Sequence, residues 1–293
     1  MKTKVKKLVA LLLALGLFCL VGCDALDEFT APKETVTARP TVRVTVPEGF
    51  TVYKIAQLLE EKGVCSSDDF IAAVNAPAAD NALGNTFAAA IPNAAERPFL
   101  LEGYVFPDTY DFYVGETAEK ALDRFLSNMN AKFTPDDYAR AEELGYTMDE
   151  IIIIASLIQA EAGTKKDDAK VSAVIHNRLG SKDLPRLQLD ASYKYLDKLE
   201  NDDEGEAAIP DAREKYDELY NTYVCKRLPA GPICNPGKGS ITAALYPATL
   251  EETDGVAYYY YFSYAGKNFY YSTNYADHNR EYNIRRYWKT ATG

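Results

Sequence analysis

Residues 148–163, which read MDEIIIIASLIQAEAG, constrain the fold more strongly than any other stretch of the chain. Thr147 and Glu150 match a capping box, in which a hydroxyl and a carboxylate satisfy the first free N–H groups of a helix, and Gly163 is a typical helix stop. Four consecutive isoleucines then cover every side of this helix. Because it lacks a polar face at its start, we predict a helix over 148–162 that is buried there on all sides.

Glu161 is the acidic residue near the end of this predicted helix. It follows Leu157 by four positions and Ile158 by three, which places it over an apolar stripe. Partial desolvation disfavours a charged carboxylate, so we expect the pKa of Glu161 to be raised, as a general acid requires. The alternative, in which Glu161 is an exposed residue of the last helical turn, stays open from these residues alone.

The first 23 residues have the pattern of a secretory signal, with four lysines ahead of an apolar run from Leu8 to Val21. The ending LVGC resembles a bacterial lipobox, which implies acylation of Cys23; an ordinary signal peptide or an uncleaved anchor is the alternative. Residues 24–40 are polar and read as a tether. We therefore predict an extracytoplasmic protein anchored to the outer face of the cell membrane.

Charge and composition exclude several classes of protein. The chain has 293 residues, is 47% hydrophobic and carries a net charge of −11, and we see no local cluster of Lys and Arg in the sequence. Nucleic acid is therefore not an expected partner. The two histidines have no other ligand at metal-binding spacing, so we predict no metal and no cofactor. A disulfide is compatible with export, but the pairing of Cys65, Cys225 and Cys234 stays open.

The pattern of elements predicts an α+β fold with a small front unit. Alternating valines indicate a strand that starts near residue 41, a first helix follows, and Ser67 is the expected N-cap of a second helix. This unit, over 41–76, resembles a LysM-like subdomain. Residues 77–97 are rich in Ala, Asn and Pro and read as a connecting loop, after which 98–293 forms the larger mixed α+β domain.

Within this larger domain, the patterns predict helices and a late hairpin. The expected helices cover about 117–131, 135–144 and 167–179, and the acidic stretch 199–218 reads as a solvated excursion. The segments AYYYYFSY and NFYYSTNY are aromatic strands on either side of a loop that contains Gly266.

Six blocks in order resemble the MltG or YceG-like family of endolytic murein transglycosylases. They read LEGYVFPDTY, ASLIQAEAG, VSAVIHNRL, LPRLQLDASYKYL, YNTYVCKRLPAGPICNPGKGSITAALYPA and YYYYFSYAGKNFYYSTNYADHN, and they cover about residues 100–280. The chain departs from the family pattern at Gln159, where a first glutamate is usual, and at Arg227 and Ala230, where Gly and Pro are usual. His278 matches.

The resemblance implies a lytic transglycosylase that cleaves the β-1,4 bond between N-acetylmuramic acid and N-acetylglucosamine in peptidoglycan. The product would carry a 1,6-anhydromuramoyl end, with Glu161 as the single acid and base. It also implies peptidoglycan glycan strands as substrate and peptidoglycan synthases as partners. A non-catalytic cell-wall-binding lipoprotein and a muramidase that uses water are the alternatives.

Other polar residues are expected to orient the sugar. The substrate-binding candidates are Gln188, Asp190, Asn221, Thr222, Tyr223 and Glu102. Local capping of loops is the alternative role for most of them, because Asn, Asp and Thr commonly cap loops. Glu102 is also the alternative acid. The loop at 228–237 is expected to form a groove wall, and the run 258–261 reads more readily as a packed core than as a sugar-stacking surface.

Overall fold

Four ranges of the chain, 39–162, 166–201, 208–264 and 268–291, are described by a computed structural model. The leader, Cys23 and nearly all of the tether lie outside these ranges, as do Gly163 and Gly266. None of the helices within them combines the length and the apolar character that a membrane crossing requires.

Helices and two short sheets alternate along the chain, which confirms the predicted α+β class. In chain order the elements are β1 (Thr41–Thr45), α1 (Val52–Glu61), α2 (Ser67–Asn75), α3 (Ala82–Ala90), β2 (Thr109–Tyr113), α4 (Ala118–Lys132), α5 (Pro135–Leu144), α6 (Met148–Glu161), α7 (Asp168–Gly180), α8 (Asp190–Glu200), α9 (Ala212–Tyr220), α10 (Lys238–Leu245), β3 (Tyr260–Tyr264), β4 (Asn268–Ser272) and α11 (Tyr275–Ala291).

The strand of the predicted unit at 41–76 pairs with a strand that lies outside this unit. Strand β1 pairs antiparallel with β2, in a register that places Val44 opposite Tyr110. Both side chains are buried, as the alternation of β1 predicts. Because the partner strand lies more than 30 residues beyond the predicted boundary, the front unit includes β2.

Two local predictions in this region are wrong. The N-cap of α2 is Ser66 and not Ser67, since the Ser66 hydroxyl accepts a hydrogen bond from the backbone of Asp69. The expected loop over 77–97 contains helix α3, which begins where the Asn81 side chain accepts from the Gly84 N–H. Alanine favours the helix intrinsically and Phe87 packs into the core, which outweighs the loop-like composition.

Helix α6 is buried as predicted, and its capping box is formed by both Thr147 and Glu150. All four isoleucines are at most 3% exposed. A buried ion pair also fixes the start of the helix, because Asp149 accepts hydrogen bonds from the Arg97 guanidinium and, at 2.7 Å, from the Tyr104 hydroxyl. These contacts therefore hold the start of α6 in a defined position.

The acidic stretch at 199–218 is more structured than the sequence suggests. It contributes the end of α8 and most of α9, where Ala212, Tyr216 and Tyr220 follow one another at four-residue spacing and are buried. The acidic residues of α9 cover its other faces. Among the residues that the structure describes, Cys65, Cys225 and Cys234 are free thiols.

Candidate active-site cleft

A cleft of about 800 Å³ opens beside the end of α6. Six parts of the chain contribute to it. They are the end of α6, the end of α7, the loop before α8 with the first residue of that helix, the loop after α9, the hairpin β3–β4, and α11. Its lining residues are Glu161, Arg178, Gln188, Leu189, Asp190, Tyr223, Tyr260, Tyr261, Phe269, Tyr275, His278, Asn279 and Tyr282. The cleft combines one partly buried carboxyl group with several aromatic rings.

Glu161 is held by two hydrogen-bond donors. Its Oε1 accepts from the Ala191 N–H at 2.9 Å, and its Oε2 accepts from the Tyr261 hydroxyl at 3.0 Å. Burial raises the pKa of Glu161 above its ordinary value, and the two hydrogen bonds oppose that shift without cancelling it. The position over the apolar stripe therefore agrees with the first reading of the sequence and not with an exposed last turn.

The Tyr261 hydroxyl stays neutral and available as a donor, because burial and the nearby Glu161 raise its pKa. The end of α7 fixes the strand segment that carries it. Asn177 donates to the carbonyl of Tyr258 at 2.7 Å, and the Arg178 Nε donates to the carbonyl of Tyr259 at 2.6 Å. These bonds connect helix α7 to the start of the hairpin.

Three of the predicted substrate-binding residues line the cleft. Gln188, in the loop before α8, and Asp190, the first residue of α8, are exposed, and Tyr223 is 44% exposed. The Tyr223 hydroxyl donates to Asp190 Oδ1 at 2.7 Å, and Lys194 approaches the other oxygen of Asp190 at 3.6 Å. The cleft thus presents polar groups as well as the hairpin's aromatic rings.

The other three predicted residues do not line it. Thr222 is 0% exposed, and its hydroxyl accepts from the Leu189 N–H at 2.8 Å. It therefore holds the backbone of the loop before α8 and does not face the cleft. Asn221 donates to Asp217 and accepts from the Tyr223 N–H, which is the local capping role.

Glu102 is only 1% exposed and lies in the interior. Both of its oxygens accept from the Val52 N–H at the start of α1, and Oε1 also accepts from Asn235 Nδ2 at 2.8 Å. This position is incompatible with contact to a bound sugar. Neither the binding role nor the role of alternative acid predicted for Glu102 fits the structure.

The loop at 228–237 does not form a wall of this cleft. Its residues Cys234 and Asn235 are buried, and the Ile233 N–H donates to the Ser156 hydroxyl of α6 at 3.1 Å. Gln159 also faces this loop, where its Oε1 accepts from the Gly237 N–H at 2.9 Å and from the Ser240 hydroxyl at 3.1 Å. Gln159 therefore caps the start of α10.

The sequence reading missed much of the aromatic side of the cleft. The sequence predicts a packed core at Tyr260 and Tyr261 and gives no prediction for the contribution of α11. One signal was present, since the α11 residues of the cleft, Tyr275, His278, Asn279 and Tyr282, share one helical face at i, i+3, i+4 and i+7. Arg178 carried no comparable signal.

Together, the mixed fold and the cleft define an α+β protein with one partly buried glutamate set among aromatic rings. The family model described as "YceG-like family" matches residues 23–284, and the chain belongs to this family.

Curated relatives that are similar in sequence are named "Endolytic murein transglycosylase". The protein from Streptococcus pneumoniae serotype 2 (strain D39 / NCTC 7466) is 27% identical over 262 residues, which cover 85% of this chain and 45% of the relative. The protein from Bacillus subtilis (strain 168) is 27% identical over 241 residues, which cover 81% of this chain and 63% of the relative. The alignments thus span about half of the Streptococcus relative and less than two thirds of the Bacillus relative.

A solved structure supports the fold. The crystal structure of a yceG-like protein from Listeria monocytogenes aligns with a TM-score of 0.64 and 24% identity, and the alignment covers 88% of this chain and 80% of that one.

Proposed function

We propose that this chain is a lytic transglycosylase that cuts peptidoglycan glycan strands internally, with Glu161 as its single acid and base. The observation that carries the proposal is the position of Glu161, a carboxyl group with a raised pKa at the edge of a cleft of about 800 Å³. The names of the curated relatives support the same substrate and reaction.

The reaction needs one group that first gives and then takes a proton. The protonated Glu161 donates its proton to the glycosidic oxygen as the bond from muramic acid C1 to that oxygen breaks. The resulting carboxylate accepts the proton of the same sugar's 6-hydroxyl while O6 bonds to C1, which closes the 1,6-anhydro ring. Glu161 ends in the protonated form in which it began.

The donors around Glu161 suit both stages. Burial keeps the carboxyl group protonated at a higher pH than an exposed glutamate. The Ala191 N–H and the Tyr261 hydroxyl then stabilise the carboxylate that forms after the first transfer. Each carboxylate oxygen accepts only one of these bonds, so a lone pair remains for the substrate.

A hydrolytic muramidase is the second candidate, and Asp190 is the observation that favours it. Hydrolases of this type use two carboxyl groups, and Asp190 lines the same cleft as Glu161. Asp190 is exposed and accepts a hydrogen bond from the Tyr223 hydroxyl. In the transglycosylase, this residue orients a sugar hydroxyl instead of activating water.

Digestion of uncrosslinked glycan strands, followed by mass spectrometry of the fragments, separates these functions. We expect fragments that end in anhydromuramic acid, lighter by one water than reducing ends, and we expect the Glu161→Gln variant to produce none. The Asp190→Asn variant serves as the matched control and should still yield anhydro ends, at a reduced rate. Reducing ends from the wild type would establish hydrolysis, and an absence of fragments would indicate a binding protein.

The proposal also covers where the protein acts. We propose that Cys23 carries a lipid that anchors the chain outside the cytoplasmic membrane, where peptidoglycan synthases are the expected partners. Labelling of cells with a fatty-acid analogue tests the anchor, since the Cys23→Ser variant should lose the label. The LysM-like character of the front unit, extended to β2, belongs to the same proposal.

A further inference from the structure

A second, basic pocket lies next to the cleft. Its volume is about 290 Å³, and its charged lining residues are Arg178, Lys182, Arg186, Lys226 and Arg227. Five cations converge here without an acidic lining residue, in a chain whose net charge is −11. The expectation that no Lys/Arg cluster exists is therefore wrong, because Arg178 of α7 and the four loop cations come together only in the folded chain.

No acidic residue among those that the structure describes lines the pocket, although the charge of Glu161 in the neighbouring cleft acts favourably on Arg178. Within the described ranges, no ion pair involves any of the five. The Arg186 Nε donates to the carbonyl of Val224, and the buried Arg178 donates to the carbonyls of Leu187 and Tyr259. Like charges brought together without counterions repel each other, so the pocket favours an anionic ligand.

The backbone at Arg227 adds a second observation. Its φ is +73°, in the left-handed region that favours glycine, and a parallel bridge pairs it with Arg186 of the other loop. A long charged side chain in this conformation carries a conformational cost that a glycine would avoid. The chain nevertheless places an arginine there, at the pocket.

The pocket and the cleft share Arg178, and the same two loops contribute lining residues to both. Leu187 lines the pocket and Gln188 lines the cleft, while on the second loop Tyr223 lines the cleft and Lys226 lines the pocket. Arg178 lines both the pocket and the cleft, and only 7% of its surface is exposed. A ligand that enters the pocket is thus adjacent to whatever lies in the cleft.

We infer that the basic pocket binds carboxylate groups of the short peptide that peptidoglycan carries on its muramic acid residues. This inference rests on the proposed function, since it assumes that a glycan strand lies in the cleft. It makes the peptide-bearing strand, and not the bare glycan, the preferred substrate. Arginine and lysine bind carboxylates through charge-assisted hydrogen bonds, and Arg186 and Arg227 can present two donors each.

Binding measurements in the Glu161→Gln background test the pocket independently of cleavage. The ligands are uncrosslinked strands that carry their peptides, the same strands after removal of the peptides, and strands whose peptide carboxylates are methyl-esterified. We expect the peptide-bearing strands to bind at least about tenfold more tightly than the other two. When Lys182→Gln and Lys226→Gln are introduced into the Glu161→Gln variant, the preference for peptide-bearing strands should fall to about twofold. The thermal unfolding midpoint should not change.

The matched control combines Lys62→Gln and Lys120→Gln, which remove the same charge from exposed positions outside the pocket. It should keep the full preference. Equal binding of peptide-bearing and bare strands would overturn the inference even if the wild type cleaves glycan. Competition by inorganic phosphate, together with unchanged binding of the esterified strands, would also overturn it and identify a phosphate site.

Discussion

The Tyr261 hydroxyl donates to Glu161 Oε2 at 3.0 Å, across 100 residues of sequence. This bond connects strand β3 of the hairpin to the last turn of helix α6. It orients the carboxyl group in the cleft, and it stabilises the charged form that must exist between the two proton transfers.

Tyr261→Phe should lower the rate of strand cleavage by about tenfold, because a hydrogen bond to a charged group contributes about 1.5 kcal/mol. Loss of the donor should also raise the pKa of Glu161 further. The basic limb of the pH–rate profile should therefore move to higher pH in the variant.

Tyr138→Phe is the control for this experiment, since Tyr138 is 46% exposed on α5 and lies away from the cleft. It should match the wild type in both rate and profile. A Tyr261→Phe profile that falls in rate without moving along the pH axis would assign Tyr261 a packing role only.

Gln159 should prove to be a structural residue. Gln159→Leu leaves the buried Gly237 N–H without its acceptor, which should cost about 1–3 kcal/mol in the free energy of unfolding. Gln159→Glu keeps an acceptor at the start of α10 and should stay within about 1 kcal/mol of the wild type. Urea unfolding measures both variants. Equal stability of the leucine and glutamate variants would contradict the capping role.

The residues around Glu161 show what sequence can and cannot predict. The burial of α6 and its capping box follow from adjacent residues, so they could be read directly. The contact with Tyr261 depends on tertiary packing, and an aromatic strand has the same pattern whether it faces a core or a cleft. Glu102 and Thr222 were misassigned because a polar residue type does not reveal burial, and both are at most 1% exposed.

Gly103 and Gly115 offer a matched test of how closely the chain packs behind α6. Both have positive φ, +88° and +67°. A Cβ at Gly103 would lie 2.6 Å from Pro232 Cγ and 2.9 Å from Ile152 Cγ2, whereas a Cβ at Gly115 would meet nothing within 4 Å.

Gly115→Ala should therefore cost about 1–2 kcal/mol, which is the backbone penalty alone. Gly103→Ala should cost about 1–3 kcal/mol more, because the core must shift to admit the methyl group. Thermal or urea unfolding of both variants gives the difference. Similar losses of stability would mean that the contact with Pro232 relaxes freely.

Glu102 should make the stability of the protein depend on pH. Burial raises its pKa to about 8, against about 4.3 for an unfolded glutamate. Between these values the folded chain keeps a proton that the unfolded chain has released, so stability from this group falls as the pH rises and then levels off above about 8. The fall should be on the order of a few kcal/mol.

Glu102→Gln removes this titration and keeps an acceptor for the Val52 N–H. Unfolding free energies measured from pH 5 to pH 8.5 should decline less steeply in the variant than in the wild type. Parallel declines would show that Glu102 is ionised in the folded protein throughout this range.

A ¹³C NMR titration of the glutamate side-chain carboxyls, with the Glu161 signal assigned from its loss in Glu161→Gln, tests the central claim most directly. We expect Glu161 to titrate at a clearly higher pH than an ordinary exposed glutamate side chain. Titration of Glu161 together with the exposed glutamates would contradict it, because the group would then already be charged when it has to donate its proton.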